Sequence, residues 1–257
     1  MDKVAMWKKL RVFILLIVLA IVSINVWRDY NPNWDKPIIV LLHPINADGQ
    51  QSTQNYIQSL SSQDLSYAQD YIRDMSAMYR HQPVSVYFQL GRELTQAPPK
   101  VPESDSVLQT IIWSLKFRYY AWKQQTRQDG APSVTLFLNY YDPKTTSSLK
   151  HSTALQNGRI GSINVFASKR QSEQNRIILV HELLHALGAS DKYDLLTGLP
   201  KYPDGYANPN QKPLYPQLKA ELMGGHIAYS QTKSVMPEFL NQTVINPKTA
   251  EELGWEK

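Results

Sequence analysis

His181-Glu182-Leu183-Leu184-His185-Ala186-Leu187-Gly188-Ala189-Ser190-Asp191 is the stretch on which the reading of this chain turns. Histidines four apart on a helix lie one above the other on the same face, so both imidazoles can bind one zinc ion. Glu182 falls to the side of that face, where a carboxylate can accept a proton from zinc-bound water. Gly188 can adopt a left-handed conformation, end the helix and turn the chain back toward the metal. Asp191 would then complete a His-His-Asp set with one open position. Ile177, Ile178, Leu179 and Val180 before the motif, with Leu183, Leu184 and Leu187 within it, bury the helix on its other faces. A His-Glu pair in so apolar a helix is costly without a ligand to satisfy it.

Working outward, 176–187 reads as a strongly apolar helix. Residues 37–44 (PIIVLLHP) form a continuous apolar run closed by proline, as expected of a buried central strand. Within 54–80, Ile57, Leu60, Leu65, Ala68, Ile72, Met75 and Met78 recur at mostly helical spacing, giving one or two helices. Residues 84–90 (VSVYFQL) alternate and are β-branched and aromatic, hence a second strand. Ser104 or Asp105 can cap a long helix running to about Gln125. Leu108, Ile111, Ile112, Leu115, Tyr119 and Trp122 form its apolar face, with Lys116, Arg118 and Lys123 as the solvated side. Residues 134–140 and 160–167 are the third and fourth strands, and the polar stretch between them has room for a short edge strand. Residues 197–216 hold five prolines and three tyrosines, a long loop expected to be ordered where it lines a site. A short helix over 247–253 starts at Pro247 and ends at Gly254. Strands alternating with helices ahead of one central helix indicate a mixed α/β domain.

Residues 181–191 resemble the metzincin clan of zinc metallopeptidases, in the snapalysin-like variant where aspartate replaces the third histidine. The resemblance implies an α/β (α+β) fold. Its sheet is twisted and mostly parallel, with an antiparallel edge strand that holds an extended peptide, and it packs on long helices that include the zinc-binding one. It also implies a methionine-bearing turn beneath the metal, which Glu221-Leu-Met223-Gly-Gly225 matches through Met223. Gly225 occupies the position where some members carry a tyrosine that stabilises the transition state, so that role is vacant or is taken by Tyr193 or Tyr229. Glu221 is an alternative third ligand, on the pattern of gluzincins, and His226 also follows the turn. Asp194 is the residue to fix its own loop by hydrogen bonds. His43, His81 and His151 have no spacing partner and read as structural or exposed. The expected cofactor is Zn2+, and the expected reaction is hydrolysis of a peptide or protein substrate with Glu182 as general base. The alternatives are a catalytically inactive, zinc-stabilised envelope binding module, or a zinc amidase acting on a non-protein amide.

Composition narrows the field further. Among 257 residues there is no cysteine, which excludes disulfides, Cys-type zinc fingers, iron–sulfur clusters and thiol nucleophiles. The formal charge is +5, but Lys3, Lys8, Lys9, Arg11 and Arg28 against Asp2 place +4 of it in the first 28 residues. The nearly neutral remainder carries no basic stripe, so nucleic acid is not an expected partner. No Gly-x-Ser-x-Gly elbow occurs either. Residues 12–27 (VFILLIVLAIVSINVW) have no charge and are flanked by Trp7 and Trp27 at interfacial positions. Lys8, Lys9 and Arg11 keep the N-terminus in the cytoplasm by the positive-inside rule. No small-x-small cleavage site follows, which favours a retained signal anchor over a cleaved signal peptide. The expected organisation is a cytoplasmic segment 1–9, a transmembrane anchor 10–27, a tether 28–36 and a zincin-like domain 37–257, periplasmic or extracellular.

Overall fold

The computed structural model describes the backbone of residues 3–102, 106–155 and 158–256 and, of these, all side chains except those of 3–5, 25 and 28–30. Ser104 and Asp105, the expected helix caps, lie outside the described residues. The chain divides into two units, one up to Asn33 and one from Trp34 onward. The boundary falls inside the expected tether.

The first unit is a single helix, α1 (Lys3–Tyr30), with exposed side chains throughout 6–24. Among the described residues no helix is long and apolar enough to cross a membrane.

The second unit is an α/β domain built on a mixed, mostly parallel sheet. Its first strand is β1 (Ile38–Asn46), followed by α2 (Gln51–Gln58), α3 (Ser66–Ala77) and β2 (Val86–Leu90). Then come α4 (Val107–Gln124), β3 (Val134–Tyr141), β4 (Thr153–Ala154), β5 (Ile160–Phe166) and α5 (Ser172–Ala186). The strand order is β2-β1-β3-β5-β4, with β4 antiparallel to β5 and every other pairing parallel. Short pairs β6 (Ala220–Glu221) with β9 (Thr243–Val244), and β7 (Ile227–Ala228) with β8 (Ser234–Val235), precede the final helix α6 (Pro247–Glu252).

Pro44 lies within β1 and does not close it. Its carbonyl accepts from Leu94 N–H at 2.9 Å, beyond the end of β2, so its missing N–H falls where the neighbouring strand has already stopped. Strand alternation divides the core. Val40, Leu42, Val134, Leu136 and Leu138 face the larger cluster, which includes Ile57 of α2, Ile72 of α3, and Leu183 and Leu184 of α5. Ile45 and Phe137 face the other way and meet Trp113 and Phe117 of α4. Each fully buried leucine on α5 contributes about 2 kcal/mol relative to exposure.

The rotation of α4 differs from its sequence reading. Trp113 and Phe117 are the buried residues, while Leu108, Ile111, Ile112, Leu115, Tyr119 and Trp122 are exposed. The helix is apolar on both faces, so periodicity could not choose between them. Ring packing decides: Phe117 lies 5.9 Å and Tyr120 5.0 Å from Phe137, and Trp113 Nε1–H donates to Pro99 O at 2.9 Å.

Candidate metal centre

The rotation of α5 sets the site. Val180, Leu183 and Leu184 are fully buried in the core. This leaves His181 and His185, one turn apart, on the face away from that core, with their side chains 13% and 14% exposed. The helix ends as expected: Gly188 takes φ 124°, and Ala189 N–H returns to Leu184 O at 2.9 Å. That return brings Asp191 beside both rings. His181 Nε2, His185 Nε2 and Asp191 Oδ1 converge at 3.1, 3.0 and 3.2 Å from one another.

Backbone carbonyls hold both imidazoles. His181 Nδ1 lies 3.0 Å from Leu222 O and His185 Nδ1 lies 2.8 Å from Ala189 O. A carbonyl can only accept, so each Nδ1 carries the proton and each neutral ring turns its Nε2 lone pair toward the other. Two lone pairs and a carboxylate oxygen at such distances repel one another unless a cation or proton lies among them. Tetrahedral zinc with bonds near 2.05 Å separates its ligands by about 3.3 Å. The spacing and chemistry of this donor set therefore fit zinc. With a proton on Nε2 in place of a metal, hydrogen bonds from His181 and His185 outweigh burial, which pushes the other way, and hold the Asp191 carboxyl well below the usual carboxylate range.

Glu182 is 6% exposed, and its Oε2 is buried without a hydrogen-bond partner among the described residues. Burial raises its pKa, opposed by the neighbouring His181 and His185. It opens onto a cleft of about 550 Å³ with His185, Asp191 and Tyr193 on one side and His151, Thr153 and Ala154 on the other. Thr153 and Ala154 are the edge strand β4. His151, read from sequence as structural or exposed, lies at this cleft and acts electrostatically on Glu182. Nothing in its spacing marked it, because the chain reaches the cleft there only through the β4–β5 pairing.

The remaining expected residues have distinct places. The Tyr193 ring lies 6.3 Å from that of His181, tilted by 39°; burial, then the nearby Asp191 charge, pushes its hydroxyl pKa up. Tyr229 is half exposed, and its backbone bonds to Lys233 in the β7–β8 hairpin. It does not line the cleft. Met223 is fully buried in a 3-10 turn over Leu222–Gly224, and its carbonyl accepts from Lys192 N–H at 2.9 Å. The same turn supplies the Leu222 carbonyl that orients His181. Glu221 lies outside the His-His-Asp group. Its Oε2 accepts from Gly224 N–H at 2.7 Å and its Oε1 from Thr249 Oγ1 at 2.7 Å, so the carboxylate fixes the turn. The His226 Nδ1 is buried without a partner among the described residues, away from the group. Asp194 accepts from Leu196 and Thr197 N–H and so holds its own loop, as expected.

No residue of the proline- and tyrosine-rich segment 197–216 lines the cleft; Tyr193 and Leu195, just before it, do. The segment supports the turn from beneath. A Cβ on Gly224 would stand 2.4 Å from Gly205 O, so only glycine allows the loop this close. Gln217 is buried and bonds Leu214 and Asn208 carbonyls, which orders the loop without strand or helix.

No family model matches this chain, and no curated protein matches it. Among solved structures, a chain of "Structure of a chaperone-substrate complex" is similar over 81% of this chain at 13% identity, with a TM-score of 0.38. This chain spans 30% of that chain's length.

Proposed function

We propose that this protein is a membrane-anchored zinc metallopeptidase that hydrolyses peptide bonds outside the cytoplasm, with a metzincin-like site. The observation that carries the reading is the convergence of His181 Nε2, His185 Nε2 and Asp191 Oδ1 beside a buried, unpartnered Glu182 oxygen in one cleft. His181, His185 and Asp191 would hold the zinc. When bound, zinc supplies Lewis acidity, acidifying water and polarising a carbonyl.

The protein's own groups account for the rest. Glu182 Oε2 accepts the proton of the attacking water and returns it to the leaving amine. The Leu222 and Ala189 carbonyls keep both rings in the tautomer that presents Nε2. Tyr193, adjacent to Asp191, is the hydroxyl available to a developing oxyanion. Edge strand β4 offers its outer side to an extended peptide across the cleft. The basic N-terminal flank and the uncharged run at 12–27 support the anchor.

The test compares wild type with Glu182→Gln for zinc content and for cleavage of a peptide library. Both proteins should bind zinc stoichiometrically, and the variant should cleave at least ~10²-fold more slowly. Zinc binding by both with cleavage by neither would overturn the peptidase reading and favour the inactive binding module.

A further inference from the structure

The exposed side of α4 is unlike the rest of the domain surface. Leu108, Ile111, Ile112, Leu115, Tyr119 and Trp122 fall within about 100° of helix arc, directly opposite the buried Trp113 and Phe117. Lys116 and Lys123 border this stripe on one side and Arg118 on the other, and all three are exposed. The helix carries no acidic residue. An apolar stripe with cationic borders and aromatic residues toward one end is the pattern of a helix lying in a bilayer interface. Long basic side chains there keep their stems on the apolar boundary and their charges at lipid phosphates.

With the anchor proposed above, the domain that carries this surface is tethered to a membrane by a short link. Trp34 is already fixed in the domain: its Nε1–H donates to Leu253 O at 2.8 Å, and its ring meets Trp255 edge-on at 5.8 Å. Between the end of α1 at Tyr30 and Trp34 there remain three residues, a reach of about 10 Å. With α1 in a bilayer, so short a link holds the domain at high effective concentration beside the lipid surface.

We propose that α4 is a second membrane contact, lying in the headgroup region of an anionic bilayer with its 108/111/112/115/119/122 face inward. The contact is independent of the zinc chemistry, because α4 packs on the smaller core cluster and α5 on the larger. It shares only the anchor with the function proposed above.

The absence of cysteine makes a direct test available. Leu115→Cys, Ile17→Cys and Gln51→Cys in the full chain are each labelled with an environment-sensitive fluorophore. Each is reconstituted in phosphatidylcholine vesicles, with and without phosphatidylglycerol. The Leu115 label should shift to the blue, be quenched by lipids brominated on the acyl chain, and be shielded from iodide. The Gln51 label, on α2, should respond to iodide alone. Replacing Lys116, Arg118 and Lys123 by glutamine should weaken the Leu115 response in anionic vesicles by about five-fold for each charge removed. If the Leu115 label behaves like the Gln51 label, the proposal falls. It also falls if that label is shielded from iodide but insensitive to brominated lipid, which would mean that protein covers the face. The Ile17 label reports the anchor separately: quenching at Leu115 without quenching at Ile17 would remove the anchor and uphold the α4 contact.

Discussion

At the scale of single residues, the site depends on where lone pairs are forced to point. His181 and His185 were legible in the sequence because a four-residue spacing on any helix brings two side chains together. Asp191 needed one further inference, that Gly188 reverses the chain, and the φ of 124° supplies that reversal. Glu221 was an equally suitable residue type, and only its surroundings distinguish it: both of its oxygens accept hydrogen bonds within the turn and from α6. Asp191→Ala should therefore lower zinc affinity by at least ~10²-fold. Glu221→Gln should leave zinc affinity intact but reduce stability by about 1–3 kcal/mol. Metal competition and urea unfolding on both variants check this. The reverse pattern would make Glu221 the ligand.

At the scale of elements, the centre depends on how α6 grips the loop after α5. Glu252 accepts from Ser190 N–H and Oγ–H at 2.8 Å each and from the buried Lys192 ammonium at 2.7 Å. Burial pushes the Glu252 carboxyl up, but the Lys192 and Ser190 contacts outweigh it and hold the pKa below its usual value. A depressed folded pKa contributes stability above the unfolded glutamate value of about 4.3, lost as pH falls through the folded value. Glu252→Gln should thus cost about 2 kcal/mol near pH 7, with the gap to wild type closing on acidification below pH ~4. Unfolding curves across that range measure it. Gly188→Val should act through the same loop, adding about 1–3 kcal/mol of backbone strain and weakening zinc binding by misplacing Asp191. Calorimetry and zinc titration should show both losses together. The elements themselves were largely legible, because strand alternation and continuous apolar runs are local signals. The orientation of α4 was not, since two apolar faces compete and the aromatic surface of Phe137 chooses between them.

For the whole molecule, metal and fold should be coupled. A ligand set drawn from α5, its return loop and, through Leu222, the methionine turn comes together only in the folded domain. At free zinc a thousand times its dissociation constant, binding should add ~4 kcal/mol of stability. For a domain of this size that corresponds to a Tm higher by roughly 8–16 °C. Thermal scans with and without chelator should show the shift in wild type and little of it in Asp191→Ala.

The sequence by itself determined whatever repeats with the period of a helix or strand. It placed the two histidines on one face, the main strands of a mixed α/β domain, the uncharged N-terminal run and the end of α5 at Gly188. Tertiary structure alone decided which of two carboxylates faces the histidines, that His151 and β4 border the cleft, and which side of α4 is covered. Those outcomes depend on contacts between residues far apart in the chain, such as Glu221 with Thr249 and Phe117 with Phe137. No local spacing encodes such pairs, because each partner is selected by the packing of the elements that carry it.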